Sequence, residues 1–176
     1  MKKTRLLLMA LVIMASASVS MAQTLITSTQ ASTKVILPKS DRVKGLVIRP
    51  EVGLGTAIHN IKKISFEVNG TVAYQFNPYI ALGGGIGLDR YIGKTYLAWY
   101  GNFRAYFSDT YVSPYLDLKL GSQNKEFMGG ATIGFQCNCF DFGASIKYWY
   151  WYDGWYDSNE WFLALNFAYN IQFGKK

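Results

Sequence analysis

Charge is scarce in this sequence: only 16% of its 176 residues are Asp, Glu, Lys or Arg, against about 25% in an ordinary soluble domain. Combined with 16% aromatic residues, this argues against a conventional water-facing surface. Histidine occurs once, at His59, and cysteine twice, at Cys137 and Cys139. Two cysteines one residue apart exclude a disulfide framework, and with a single histidine they fall short of a structural zinc ligand set. Long hydrophobic runs are also missing. Beyond Gln23 no apolar stretch approaches the roughly 20 residues of a transmembrane helix, which excludes a helical membrane protein and leaves a strand-built one open. The formal charge of +7 includes Lys2, Lys3 and Arg5 at the extreme N-terminus. Without them about +4 remains, too little to imply a nucleic-acid partner.

Those three basic residues precede an apolar run from Leu6 to about Ala15 and the small-x-small site Ser20-Met21-Ala22. This is the pattern of a secretory signal peptide over 1–22, with the mature chain starting at Gln23. The run is too short to span a bilayer, and no cysteine follows the cleavage site to accept a lipid. Residues 23–44 are rich in Ser, Thr and Lys without a sustained period, and read as an extended N-terminal segment on the periplasmic side.

From Gly45 onward, large apolar residues fall on alternate positions. In EWFLALNFAYNIQF (160–173) the odd positions Trp161, Leu163, Leu165, Phe167, Tyr169, Ile171 and Phe173 are large and apolar. After Phe162, the even positions are Ala164, Asn166, Ala168, Asn170 and Gln172. On a helix, positions two apart diverge by about 200°, which would scatter the apolar set; on a strand it forms one face. Seven further stretches obey the same rule: LVIRPEVGLGT (46–56), ISFEVNGTVAYQF (64–76), YIALGGGIGLD (79–89), TYLAWYGNFRAYF (95–107), VSPYLDLKLG (112–121), FMGGATIGFQ (127–136) and FDFGASIKYWY (140–150). Each is roughly 10 to 13 residues long, enough for a tilted strand to cross a bilayer.

The joints alternate as well. Asn77-Pro78, Ser108-Asp109-Thr110 and Asn138 are short; the connections around 59–62, 91–93, 122–125 and 153–159 read as longer. Eight antiparallel strands with short turns at one end and longer loops at the other predict an all-β, eight-stranded up-and-down transmembrane β-barrel over 45–174. Both chain ends then lie on the periplasmic side.

A soluble eight-stranded barrel would show the same period but turn its apolar face inward. Here the apolar face carries Leu, Ile, Phe, Tyr and Trp, too bulky for so narrow an interior. The other face mixes Gly, Ala, Ser and Asn with opposite charges: Arg49, Glu51, Glu67, Arg104, Asp117, Lys119, Asp141 and Lys147. A Lys or Arg facing lipid at mid-membrane costs about 2 to 4 kcal/mol, whereas in a lumen it can pair. These eight residues are therefore the predicted polar network of the lumen. Phe76, Phe107, Phe135, Phe140 and Phe173 fall at the short-turn ends of the apolar face, and Tyr148, Tyr150 and Trp161 toward the other rim. They form two predicted girdles facing lipid at the membrane boundaries.

This pattern resembles the small eight-stranded outer-membrane barrels of Gram-negative bacteria, OmpA-like and OmpX-like, often grouped with porin-family proteins. The resemblance covers Gly45 to about Gly174. The cleavage region Met-Ala-Gln and the closing FAYNIQF look like those of members from the Bacteroidetes. A departure is that Lys175 and Lys176 follow Phe173, where many members end on the aromatic. The resemblance implies a monomer with a lumen closed by side chains and a structural or surface-interaction role. It implies outer-membrane lipid, lipopolysaccharide and the outer-membrane assembly machinery as partners, with an extracellular ligand at the loops as a further candidate. No cofactor, metal or catalytic residue is expected.

Two alternatives remain open. One is a narrow pore for small solutes, since a general porin needs 16 to 18 strands. The other is a lipid A acyltransferase or deacylase, because some barrels of this size keep catalytic residues at the long-loop rim, where His59 falls near Ser65 and Glu67. No motif ties those three together, and a solvated loop histidine is the preferred reading. Likewise Cys137-Asn138-Cys139 reads as two cysteines flanking a turn in preference to a redox pair or half a metal site. The run YWYWYDGWY (148–156) reads as girdle followed by an Asp-Gly turn in preference to a carbohydrate contact surface. GLGTA and ALGGGIGLD resemble phosphate loops only in their glycines, since no helix follows.

Overall fold

The structure, a computed structural model, describes residues 38–58, 60–91, 93–152 and 157–174, with the side chains of 60–63, 151–152 and 157–158 outside that description. The proposed leader, His59 and most of the tip of the last long loop therefore lie outside the described residues. The strands are β1 Gly45–Ala57, β2 Asn60–Asn77, β3 Ile80–Tyr91, β4 Lys94–Tyr106, β5 Val112–Gln123, β6 Glu126–Cys137, β7 Phe140–Tyr152, β8 Asp157–Tyr169 and β9 Ile171–Gly174. From β1 to β8 every strand pairs antiparallel with the next in sequence, and β1 also pairs with β8 and β9 to close the sheet on itself.

The last two strands are one eighth stave interrupted at Asn170. Their registers on β1 are continuous, from Ala57 opposite Phe162 through Glu51 opposite Ala168 to Gly45 opposite Gly174. The interruption falls beside Arg49 and Pro50 of β1. Pro50 has no N–H to give to the ladder, which suits it to a position where pairing lapses. The fold is thus an eight-stranded, antiparallel, up-and-down β-barrel, with no helix among the described residues.

Because side chains alternate across a strand, closure sorts the sequence into a wall and a filling. Leu54 and Leu165 are opposite each other on neighbouring strands and are 61% and 73% exposed on the outer face. The intervening Gly53 and Asn166 point inward. So small a barrel has little interior to share, and inward glycines leave space for the larger residues. A Cβ on Gly85 would stand 2.7 Å from the Tyr100 ring and 2.5 Å from the Gly70 carbonyl oxygen. Gly70 faces outward into open space.

The loop lengths differ from the sequence expectation. Ladder pairing continues past the alternating stretches, so β3–β4 and β5–β6 are joined by only Ile92-Gly93 and Asn124-Lys125. The positive φ angles of Asn124 (53°) and Lys125 (75°) suit the tight turn whose twist matches that of the strands. At the opposite end Asn77 Oδ1 accepts from the backbone N–H of Tyr79 (2.8 Å) and Ile80 (2.9 Å), fixing a turn through Pro78. The connection from Phe107 to Tyr111, at the end expected to hold only short turns, is longer than either two-residue hairpin. Extra sequence at the first end is spent on longer strands, most of all in the 18-residue β2.

Candidate functional site

The interior of the barrel is filled by three tiers of ion pairs. Lowest, toward the β2–β3, β4–β5 and β6–β7 turns, are Arg49, Arg104, Asp117 and Asp141, each no more than 1% exposed. Arg104 and Asp117 are register partners on β4 and β5. Arg104 Nε and Nη2 lie 2.6 and 2.5 Å from Asp117 Oδ2, and Nη1 donates to Asp141. Arg49 Nη1 reaches the same Asp117 oxygen at 3.3 Å, and its Nε donates to Asn170 Oδ1 at 2.8 Å. Asn170 then donates to Asp141 Oδ1 at 2.7 Å. Asn102 donates to Asp117 Oδ1 at 2.5 Å. The Arg104 guanidinium sits 4.1 Å from the Tyr115 ring centroid. Two fixed forks and two carboxylates, their remaining lone pairs met by amides, make the kind of buried charge cluster that tolerates desolvation.

In the middle tier Glu51 Oε1 accepts from Lys119 Nζ at 2.6 Å, Asn166 Nδ2 at 3.0 Å and Asn69 Nδ2 at 3.2 Å. Ser145 holds Asn166 from behind by donating to its Oδ1 at 2.8 Å. In the upper tier Lys147 Nζ lies 2.9 Å from Glu67 Oε2 and 2.8 Å from Asp89 Oδ2. Those two acids are register partners on β2 and β3.

Described residues lie across both mouths. Above the upper tier Tyr91, Trp149, Phe162 and Ala57 form a buried cluster with Tyr96 packed on it. Tyr91 meets Phe162 edge-on at 4.9 Å, Tyr96 meets Trp149 at 4.6 Å, and the Tyr91 hydroxyl donates to Glu160 Oε1 at 2.7 Å. Below, the segment before β1 crosses the mouth as a strap. Lys39 bridges Thr110, and the Tyr111 N–H donates to Pro38 O at 2.9 Å. Ser40 donates to Asp109. Arg42 turns into the barrel: Nη1 donates to Gln136 Oε1 at 2.7 Å, Nε to Pro78 O at 2.9 Å, and Nη2 to Ser108 O, with the guanidinium 4.3 Å from the Tyr106 ring centroid. Burial lowers the Arg42 pKa from its ordinary value, opposed by Tyr106, Asp109 and Asp141 nearby.

Two hollows between the tiers are about the size of a water molecule. One of about 20 Å³ lies between Lys147 and Lys119, and one of about 10 Å³ lies beneath the aromatic cap. A water molecule needs about 10 to 15 Å³ by this measure. A hollow of about 240 Å³ opens at the strap end, lined by Arg42, Cys139, Asn170 and Gln172 among others.

All eight residues of the predicted network stand in the three tiers, and the contacts among them are those given above. Of the predicted girdle, Phe76, Phe107, Phe135, Phe140, Phe173 and Trp161 are exposed on the outer face. Tyr148 is half-buried, with its ring 4.8 Å from that of Trp161, and Tyr150 is half-buried too. Ser65 and Glu67 both point inward, and Glu67 is held by Lys147; His59 lies outside the described residues. Cys137 and Cys139 are free thiols on either side of Asn138, whose φ is 57°. Asp89, Asn102 and Asn170 also serve the network, and the parity that marked the eight would have found them. Arg42 lies before the first alternating stretch, where no sequence signal marks it.

No family model and no curated protein matches the sequence. Among solved structures, the fold is similar to that of the outer membrane enzyme PagL, with a TM-score of 0.54 and 11% identity over 71% of this chain and 99% of that one. The N-terminal β-barrel domain of Pseudomonas aeruginosa OprF matches with a TM-score of 0.49 and 14% identity over 73% of this chain and all of that domain. With its closed eight-stranded sheet and its likeness to PagL, the chain has the fold of a small eight-stranded outer-membrane β-barrel. At 11% identity to PagL, fold is what the two share.

Proposed function

We propose that this protein is an integral outer-membrane barrel with a closed lumen, acting as a structural and surface-interaction protein of the cell envelope. The observation that carries this reading is the filling of the interior: three tiers of paired charges between an aromatic cap and an arginine plug, with water-sized hollows between them. The outer face supports the membrane setting, since Leu, Ile, Phe and Trp form an exposed apolar band that water would not favour. Its partners on this reading are outer-membrane lipid, lipopolysaccharide and the assembly machinery, with a ligand at the outer loops, and the barrel works as a monomer.

Planar-bilayer conductance of the pure protein tests the closed lumen. No stable steps are expected, and steady open steps would replace this reading with that of a narrow pore. Against the enzyme reading stand Ser65, only 3% exposed, and Glu67, engaged by Lys147. Lipid A mass spectra of cells with and without the protein should be the same. A mass change that disappears with His59→Ala would establish the enzyme instead.

A further inference from the structure

The three tiers are not equally balanced. Two guanidiniums meet two carboxylates in the lowest, and Lys119 meets Glu51 in the middle. In the upper tier Lys147 alone serves both Glu67 and Asp89, which are 3% and 5% exposed. Among the described residues this leaves one uncompensated negative charge in a site closed to bulk water, an arrangement strongly disfavoured unless something neutralises it.

Among the described residues the same place has hydrogen-bond acceptors to spare. The hollow of about 10 Å³ beneath the cap is lined by Ser65, Glu67, Asp89, Gln123 and Lys147, with aromatic rings above. Three buried oxygens of these residues have no partner among the described residues: Asp89 Oδ1, Gln123 Oε1 and Ser65 Oγ. Ionised carboxylate and amide carbonyl oxygens can only accept, and Lys147 is engaged on the other oxygen of Asp89 and on Glu67. Spare acceptors around a void the size of one water, beside a deficit of one positive charge, describe a receptor for a small cation. Hard cations take oxygen ligands of this type. A divalent ion would overcorrect the charge and press on the Lys147 ammonium; a monovalent one balances the tier.

We propose that this upper cavity binds one sodium-sized monovalent cation through Asp89 Oδ1, Gln123 Oε1 and Ser65 Oγ. The aromatic cap would slow its exchange, so the ion is best offered during refolding. The full mature chain is refolded into detergent micelles in sodium chloride or, at equal ionic strength, in N-methyl-D-glucamine chloride, and the heat-unfolding midpoint is read by circular dichroism. At a sodium concentration about ten times the dissociation constant, the midpoint should stand about 3 to 6 °C higher in sodium. Asp89→Asn, which removes the charge deficit, should abolish the difference, and Ser145→Ala in the middle tier should keep it. Crystals grown in thallium(I) should show an anomalous peak in the cavity, a readout that needs no variant to fold. The proposal requires both results on the unaltered chain. Equal midpoints in the two salts, a midpoint that follows pH but ignores sodium, or a cavity without an anomalous peak would each overturn it in favour of a trapped water or a proton on Asp89.

Discussion

Lys119 shows what a single buried charge does in so narrow a lumen. Its ammonium is the cation on Glu51, which also accepts from the side-chain amides of Asn69 and Asn166. Lys119→Met should therefore cost about 3 to 5 kcal/mol, because it strands a buried carboxylate. Adding Glu51→Gln should return most of that loss, since an uncharged pair has no such desolvation to offset. Urea titration of the single and double variants checks both numbers. The glycines allow an equally local test. Gly85→Ala places a methyl against the Tyr100 ring and the Gly70 carbonyl oxygen, and should lower the unfolding midpoint. Gly70→Ala meets nothing within 4 Å and should leave it nearly unchanged. Equal effects from the two would mean that space inside the barrel is not the constraint.

Among the elements, the eighth stave carries the most consequence, because it closes the sheet on β1. Leu165 lies opposite Leu54 on the outer face, while Asn166 points inward to Glu51. In a membrane Leu165→Arg should cost about 2 to 4 kcal/mol and strongly reduce the folded, heat-modifiable form, whereas Leu165→Phe should assemble normally. Normal assembly of both would count against the outer face being in lipid. The strap before β1 invites a different readout. Arg42 and Cys139 line the same hollow, so in a Cys137→Ser background Arg42→Ala should speed maleimide labelling of Cys139 several-fold. An unchanged rate would show that the guanidinium does not control access to that mouth.

At the scale of the whole molecule, the barrel is narrow enough for side chains to fill it, and its filling is charged instead of apolar. That inverts a soluble protein: the largest apolar residues are exposed, and the residues below 2% exposure include Arg49, Arg104, Asp117 and Asp141. Cohesion of the interior thus rests on hydrogen bonds and ion pairs linked across the barrel, from Arg42 at one mouth to Glu160 at the other. Opening a path for ions means breaching the tiers as well as both mouths, so Trp149→Ala combined with Arg42→Ala should still show no stable conductance steps in planar bilayers; steady steps from it would mean that the tiers do not block the lumen.

How much of this could be read from the chain follows from geometry. A period of two says which residues share a face, and the bulk and charge of the two faces say which is inside a barrel of eight strands. That argument identified the strands, the closure of the last on the first, and the inward set from Arg49 to Lys147. Loop lengths were misjudged because apolar alternation stops before ladder pairing does: polar residues such as Lys94 and Gln123 continue the hydrogen bonds without marking a face. Parity also says nothing about who pairs with whom. Arg49 on β1 meets Asp117 on β5 across the lumen, 68 residues away, only because the sheet curls shut. The same closure brings Arg42 over Tyr106, and leaves Lys147 alone between two acids. The sequence by itself determined a barrel and its two faces, since alternation is a property of each strand alone. Only the tertiary structure decided the tiers, the plug and the unbalanced upper cavity, since those depend on distances across a closed interior.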